Sequence, residues 1–112
     1  MRIAIPTADG RLCPHFGHCE AFALVDVNPE TNEIVQMVML PAPDHQPGLL
    51  PQWLHHHGAT VIIAGGMGQR ALDLFAQNGI QVIIGAQSDP PESVARAYLT
   101  NSLQTGQNIC DH

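Results

Sequence analysis

The spacing of apolar residues changes partway along the chain. Ile3-Ala4-Ile5 reads as a short buried strand, ended at Pro6 where proline removes a backbone donor. Thr7 to Glu20 shows no period and reads as a loop of about fourteen residues, longer than most connections and so a place to look for function. Ala21 to Val27 is a second strand, 28–33 is turn chemistry, and Ile34 to Leu40 is a third strand. The first half therefore reads as an antiparallel meander. After the breaker-rich segment 41–48, Leu49, Leu50, Trp53 and Leu54 recur at helical spacing, with Gly58 as a stop. Thr60 to Ala64 is continuously apolar, the signature of a strand buried on both faces. Gly65-Gly66-Met67-Gly68 opens a helix carrying Ala71, Leu72, Leu74 and Phe75, closed by Asn78-Gly79. Ile80 to Ile84 is a fifth strand. Ser88-Asp89-Pro90-Pro91-Glu92 signals a helix start, with a cap, a first-turn proline and an early acid, before Val94, Ala95, Tyr98 and Leu99.

The predicted order is β-β-β-α-β-α-β-α, an α/β domain over 1–112 built on a mixed five-stranded sheet. Strand–helix–strand units force parallel neighbours, and the meander forces antiparallel ones. The second strand should oppose the other four. Segments 7–20, 41–48, 65–70 and 85–91 then share the carboxyl edge of the sheet, where ligands of open α/β sheets bind. His55, His56 and His57, ending the first helix, belong to the opposite edge.

Composition narrows the function. The chain has 112 residues, ten acidic and four basic, for a net charge of −6; all four basic residues are arginine. Without lysine there is no Schiff-base or Walker-type site, and scattered arginines with few aromatics make a poor nucleic-acid surface. No apolar run is long enough to span a bilayer, and Met1-Arg2 leads straight into a strand with no signal-peptide pattern. Three cysteines do not make a disulfide framework. These features lead us to expect a reduced, cytoplasmic protein, with neither nucleic acid nor membrane as partner.

Candidate chemistry is concentrated in Cys13-Pro14-His15-Phe16-Gly17-His18-Cys19. Four soft or borderline ligands, Cys13, His15, His18 and Cys19, suit Cu(I), zinc or the outer metals of a sulfide cluster, although the spacing matches no standard zinc signature. The alternative is that the cysteines are small core residues and His15 organises the loop. Gly65-Gly66-Met67-Gly68-Gln69-Arg70 offers close backbone approach, free helix-start amides and one full positive charge. The same glycines equally serve a tight strand-to-helix turn, and Met67 is either a soft ligand or packing. His45 lies on the ligand edge. The triple histidine suits a helix C-terminus by its dipole alone, and Cys110 and His112 end the chain. No serine sits in a nucleophile elbow, while Asp9 and Glu20 leave a metal-dependent hydrolase open.

Ile3-Ala4-Ile5-Pro6, His15-Phe16-Gly17, Phe22-Ala23-Leu24-Val25-Asp26, Val61 to Ala71 and Asn78-Gly79-Ile80 together resemble the dinitrogenase iron–molybdenum cofactor biosynthesis family, in order and over nearly the whole chain. The resemblance implies a ribonuclease H-like mixed sheet and a non-enzymatic protein that binds or carries a molybdenum-containing sulfide cluster, with copper or with iron. The small orange proteins of that family hold a sulfide-bridged molybdenum–copper cluster non-covalently. It also implies a protein partner, a MinD/ParA-type ATPase or a cofactor acceptor. It supports His15, Phe16, Gly17, Gly65, Gly66, Gly68 and Arg70 as site residues; Cys13, His18 and Cys19 rest on the residue argument alone. An anionic cluster on a chain of charge −6 needs local compensation, for which Arg11, Arg70, a helix start and His15, His18 or His45 are available. A mononuclear copper or zinc module on Cys13, His15, His18 and Cys19 stays open, as does an interaction domain with no ligand of its own.

Overall fold

The computed structural model describes residues 1–44 and 48–106, so His45, Cys110 and His112 lie outside the described residues. Strands β1 (Arg2–Ala8), β2 (Arg11–Leu12), β3 (Ala21–Asn28), β4 (Glu33–Pro41), β5 (Val61–Ile63) and β6 (Gln81–Ile83) form one mixed sheet. Its order is β4-β3-β1-β5-β6, with β2 paired to β1. Three helices pack on it: α1 (Leu49–His56), α2 (Gln69–Gln77) and α3 (Pro91–Leu99). The mixed α/β class is as expected, but the sheet has six strands instead of five.

The additional strand comes from Asp9-Gly10. Both residues adopt positive φ, 54° and 77°, the requirement of the tight two-residue turn that matches strand twist. The chain folds straight back, pairing Thr7 with Leu12 and Ala8 with Arg11. The expected fourteen-residue loop is therefore a hairpin followed by a short 3-10 turn, Phe16–His18. β1 also continues through Pro6, where the sequence pattern ended it. Arg2 and Pro6 carbonyls accept the Thr60 and Cys13 N–H groups, so even-numbered β1 residues face β5 and β2. β5 pairs only with Ile3 and Ala4. Pro6 stands past that ladder, where its missing donor leaves no bond unmade.

Alternation along β1 builds the two core layers. Ala4, Phe22, Leu24 and Ile62 face Leu50 and Leu54 of α1 and Phe75 of α2, while Ile3, Ile5, Ala23, Val25 and Ile63 face Val94 and Ala95 of α3. β3 is antiparallel to β1 and β4, and β5 is parallel to β1 and β6, so β3 alone of these five runs against the rest. This brings the segments after β1, β4, β5 and β6 to one edge.

The opposite edge is closed by Arg2, which pairs with Asp26 and donates to the His57 carbonyl. Hydrogen bonds from Arg2 and then Gln36 hold the Asp26 carboxyl below its usual range. His57 packs its ring on Trp53 at 4.6 Å, and His55 and His56 are exposed. The triple histidine is thus away from the carboxyl edge, as expected.

Candidate functional site

At the carboxyl edge the segment after β2 and the turn after β5 are locked together. The Gly66 N–H donates to the Pro14 carbonyl (2.8 Å), and the Phe16 N–H donates to the Gly66 carbonyl (3.0 Å). His15 and Gly66 thereby form a one-residue parallel bridge. A Cβ on Gly65 would stand 2.8 Å from the Pro14 oxygen and 3.0 Å from its Cα, so only glycine admits this approach. On its other side the Gly65 carbonyl accepts the Gly85 N–H. Phe16, 8% exposed, anchors the clasp in the core, edge-on to Phe75 at 5.5 Å and Phe22 at 6.2 Å.

This anchoring divides the four expected ligands. Cys13 and Cys19 are buried in the same cluster as Phe16, while His15 and His18 are exposed with ring centroids 5.9 Å apart. The Cys13 thiol donates to the His15 carbonyl at 3.0 Å. Burial, and then the neighbouring Cys13, push the Cys19 thiol up to about 11. The residues read as one donor set are therefore two inward sulfurs and two outward imidazoles. Among the described residues no group of three or more histidine, cysteine or acidic side chains is placed to hold a metal ion. Asp9 and Glu20 meet only through the Asp9 N–H, which donates to a Glu20 carboxylate oxygen (3.0 Å).

A protonated, buried thiol is a poor nucleophile. Alkylation by iodoacetamide at neutral pH, followed by peptide mass mapping, should label Cys19 slowly in the native protein and rapidly in urea. Because folding raises the Cys19 pKa from 9.0 to about 11, the stability it confers is complete below pH 9.0 and is lost as pH climbs through about 11. Rapid native labelling of Cys19 at neutral pH would contradict this burial.

Met67, 1% exposed, belongs to the core. Of the two roles its position in the glycine-rich turn allows, soft ligand or packing, its side chain is in the packing role, in the same cluster as Phe75 of α2. Gly68 is the N-cap of α2 and supplies no side-chain cap. The first helical bond runs from Leu72 N–H to the Gly68 carbonyl (3.1 Å), so the Gln69, Arg70 and Ala71 amides precede any intrahelical partner. Space is open where a Cβ would stand on Gly17 or Gly68.

The arginines are used unequally. Arg2 pairs with Asp26, Arg96 pairs with Glu92, and Arg11 donates to the Ser88 carbonyl at 3.3 Å. Arg11, exposed, is thus also a tether toward α3. Among the described residues only Arg70 has neither an ion pair nor a side-chain hydrogen bond; it is exposed in the first turn of α2. Ser88 and Asp89 also differ from expectation. The Ser88 hydroxyl donates to the Leu12 carbonyl (2.6 Å), and the Asp89 carbonyl accepts the Leu12 N–H (2.9 Å). They pin β2, and Pro90 takes the N-cap of α3. Pro14 and Ser88 are the positioning residues that sequence reasoning missed; Asp9-Gly10, a hairpin dipeptide, was the available signal.

The sequence profile of the family described as "Dinitrogenase iron-molybdenum cofactor" matches residues 1–101. The uncharacterized protein MJ0580 of Methanocaldococcus jannaschii is 31% identical over 85 residues, 73% of this chain and 72% of that one. The crystal structure of PH0822 superposes with a TM-score of 0.87 at 28% identity, over 96% of both chains. The apo orange protein from Desulfovibrio gigas shares the fold, with a TM-score of 0.71 at 22% identity, over 96% of this chain and 93% of its own.

Proposed function

Because the chain belongs to the dinitrogenase iron-molybdenum cofactor family, we propose that it is a non-enzymatic carrier of a molybdenum-containing sulfide cluster, held between the 13–19 segment and the start of α2. The observation that carries this reading is Arg70. It is the one arginine without a partner among the described residues, set beside uncapped helix-start amides on a chain of net charge −6. Such a helix start with an adjacent guanidinium attracts anions.

The cargo is an anionic metal–sulfide cluster, with copper or iron as its other metal. Backbone N–H groups of Gln69, Arg70 and Ala71 and the Arg70 guanidinium supply donors to its sulfides. His15 and His18, fixed on their 3-10 turn by Phe16, present imidazoles from the facing segment. Gly17 and Gly68 leave the surface bare of side chains, which permits close approach. With Cys13 and Cys19 in the core, the cradle holds its cargo by charge and hydrogen bonds, without thiolate ligation. Such a cargo can be surrendered to an acceptor protein without breaking a metal–cysteine bond. We also assign the 4-3-1-5-6 strand order to the ribonuclease H-like class, with β2 as an added hairpin arm.

Anaerobic reconstitution with tetrathiomolybdate and Cu(I), followed by desalting and molybdenum analysis, tests the reading. Arg70→Glu should weaken retention about tenfold or more, equivalent to the ~1.4 kcal/mol of one charge-assisted contact. Cys13→Ala should retain molybdenum like the parent. Loss of the cluster in Cys13→Ala with retention in Arg70→Glu would instead favour a thiolate-ligated cluster.

A further inference from the structure

The two edges of the sheet are treated differently. Beyond β6, Ala86 bridges to Thr105, and Leu103 packs on the α3 side of the core. Among the described residues no strand lies beyond β4. Val35 is 67% exposed, Met37 41%, Val38 44% and Met39 45%. Along β4, Phe22 pairs with Leu40 and Leu24 with Val38, placing Val38 on the α1–α2 face; Ala23 pairs with Met39 and Val25 with Met37, placing both methionines on the α3 face. Ile34 packs on the α3 layer and Leu40 on the α1–α2 layer, and the stretch between them, Val35 to Met39, is left exposed. An open, long apolar edge strand is a template for pairing.

Backbone directions follow from the ladder. Met1 and Val27 exchange both hydrogen bonds. Odd-numbered β3 residues therefore face β1, and even-numbered ones, to Asp26, face β4. Gln36, Val38 and Leu40 then bond inward, leaving the N–H and C=O groups of Met37 and Met39 outward. The bulge between Asp26 and Val27 falls at Val35, so Gln36–Leu40 is the regular stretch.

We propose that β4 pairs antiparallel with β4 of a second copy of this chain, about a two-fold axis through Val38. This register matches Met37 with Met39 of the second copy, both outward-facing and on the same sheet face. Val38 meets its own counterpart on the other face, and Gln36 meets Leu40. A two-fold pairing must be self-complementary in this way. Charge agrees with it: residues 34–41 carry no charged side chain, and the two copies of Glu33 lie at opposite ends of the ribbon. Gly106, the last described residue, bonds to Gly85 on the side of the sheet away from β4. Seven paired residues span about 24 Å, and with side chains on both faces bury roughly 1,000 Å² in total, the lower bound for a specific interface. The dimer is accordingly weak and concentration-dependent, and leaves the cluster edge open in each copy.

Sedimentation equilibrium on the full chain tests this. The apparent mass should rise from 12.1 kDa toward twice that value as concentration increases from about 5 μM to about 500 μM, the range expected of a minimal interface. Met39→Pro removes only an outward N–H, and Val38→Lys sets like charges across the axis. Both should stay monomeric throughout, with the parent's circular dichroism spectrum. If Met39→Pro disturbs the spectrum, Val38→Lys decides. A parent protein monomeric at every concentration, its edge kept for another partner, overturns the proposal. So does a dimer that persists in folded Val38→Lys.

Discussion

Phe16→Ala should destabilise the protein by about 3 kcal/mol, the cost of truncating a buried aromatic and leaving a cavity. Phe16 is the only side chain of the 3-10 turn that enters the core, where it meets Phe22 and Phe75 edge-on. Its removal leaves the hydrogen bonds to Gly66 as the main tie between the 13–19 segment and α2. Cluster retention should therefore fall in the fraction that remains folded, because His15 and His18 lose their fixed position. Phe16→Leu preserves most of the volume and should recover about half of the stability or more. Urea unfolding with an unchanged m-value checks both numbers. A loss below about 1 kcal/mol in Phe16→Ala would show that the turn is not seated by this ring.

Gly65→Ala attacks the same clasp from the other side. The new Cβ meets Pro14 backbone atoms at 2.8, 3.0 and 3.2 Å, and backbone does not yield as a flexible side chain does. Overpacking of this kind costs about 1–3 kcal/mol. The shift also strains the Gly66–Pro14 and Phe16–Gly66 hydrogen bonds, each worth about 1 kcal/mol. We expect a stability loss of about 2–4 kcal/mol from the two effects together, with retention of molybdenum lost as well. Gly17→Ala provides the contrast. No atom lies within 4 Å of its Cβ position, so stability should hardly change while the bare surface offered to the cargo is lost. Thermal unfolding compared with molybdenum retention for the two variants separates the structural from the binding role. Equal stability losses in Gly65→Ala and Gly17→Ala would contradict this division.

Periodicity carried most of the fold. Continuous apolar runs at Thr60–Ala64 and Ile80–Ile84, helical spacing at Leu49–Leu54 and the Asn78-Gly79 stop each correspond to an observed element within one or two residues at its ends. Strand directions followed from the kind of connection, which is why the carboxyl edge was foreseeable. Pro6 misled because local chemistry says nothing of where a neighbouring ladder stops. The spacing of Cys13, His15, His18 and Cys19 was equally ambiguous. Four ligands within seven residues define a site only if they face one way, and the burial of Phe16 turns the sulfurs inward. Nor could sequence reveal that Arg11 and Ser88 hold the hairpin against the segment leading to α3, a contact across 77 positions. The position of Arg70 in the first turn of α2, by contrast, was legible from its place after the glycine-rich turn.

The most direct measurement is elemental analysis with an ultraviolet–visible spectrum of protein purified anaerobically and without an affinity tag. The cluster-carrier reading predicts molybdenum and acid-labile sulfide in stoichiometric amounts, with sulfide-to-metal charge-transfer absorption in the visible. A colourless protein holding zinc or copper alone, and taking up no molybdenum when offered tetrathiomolybdate with copper, would contradict it.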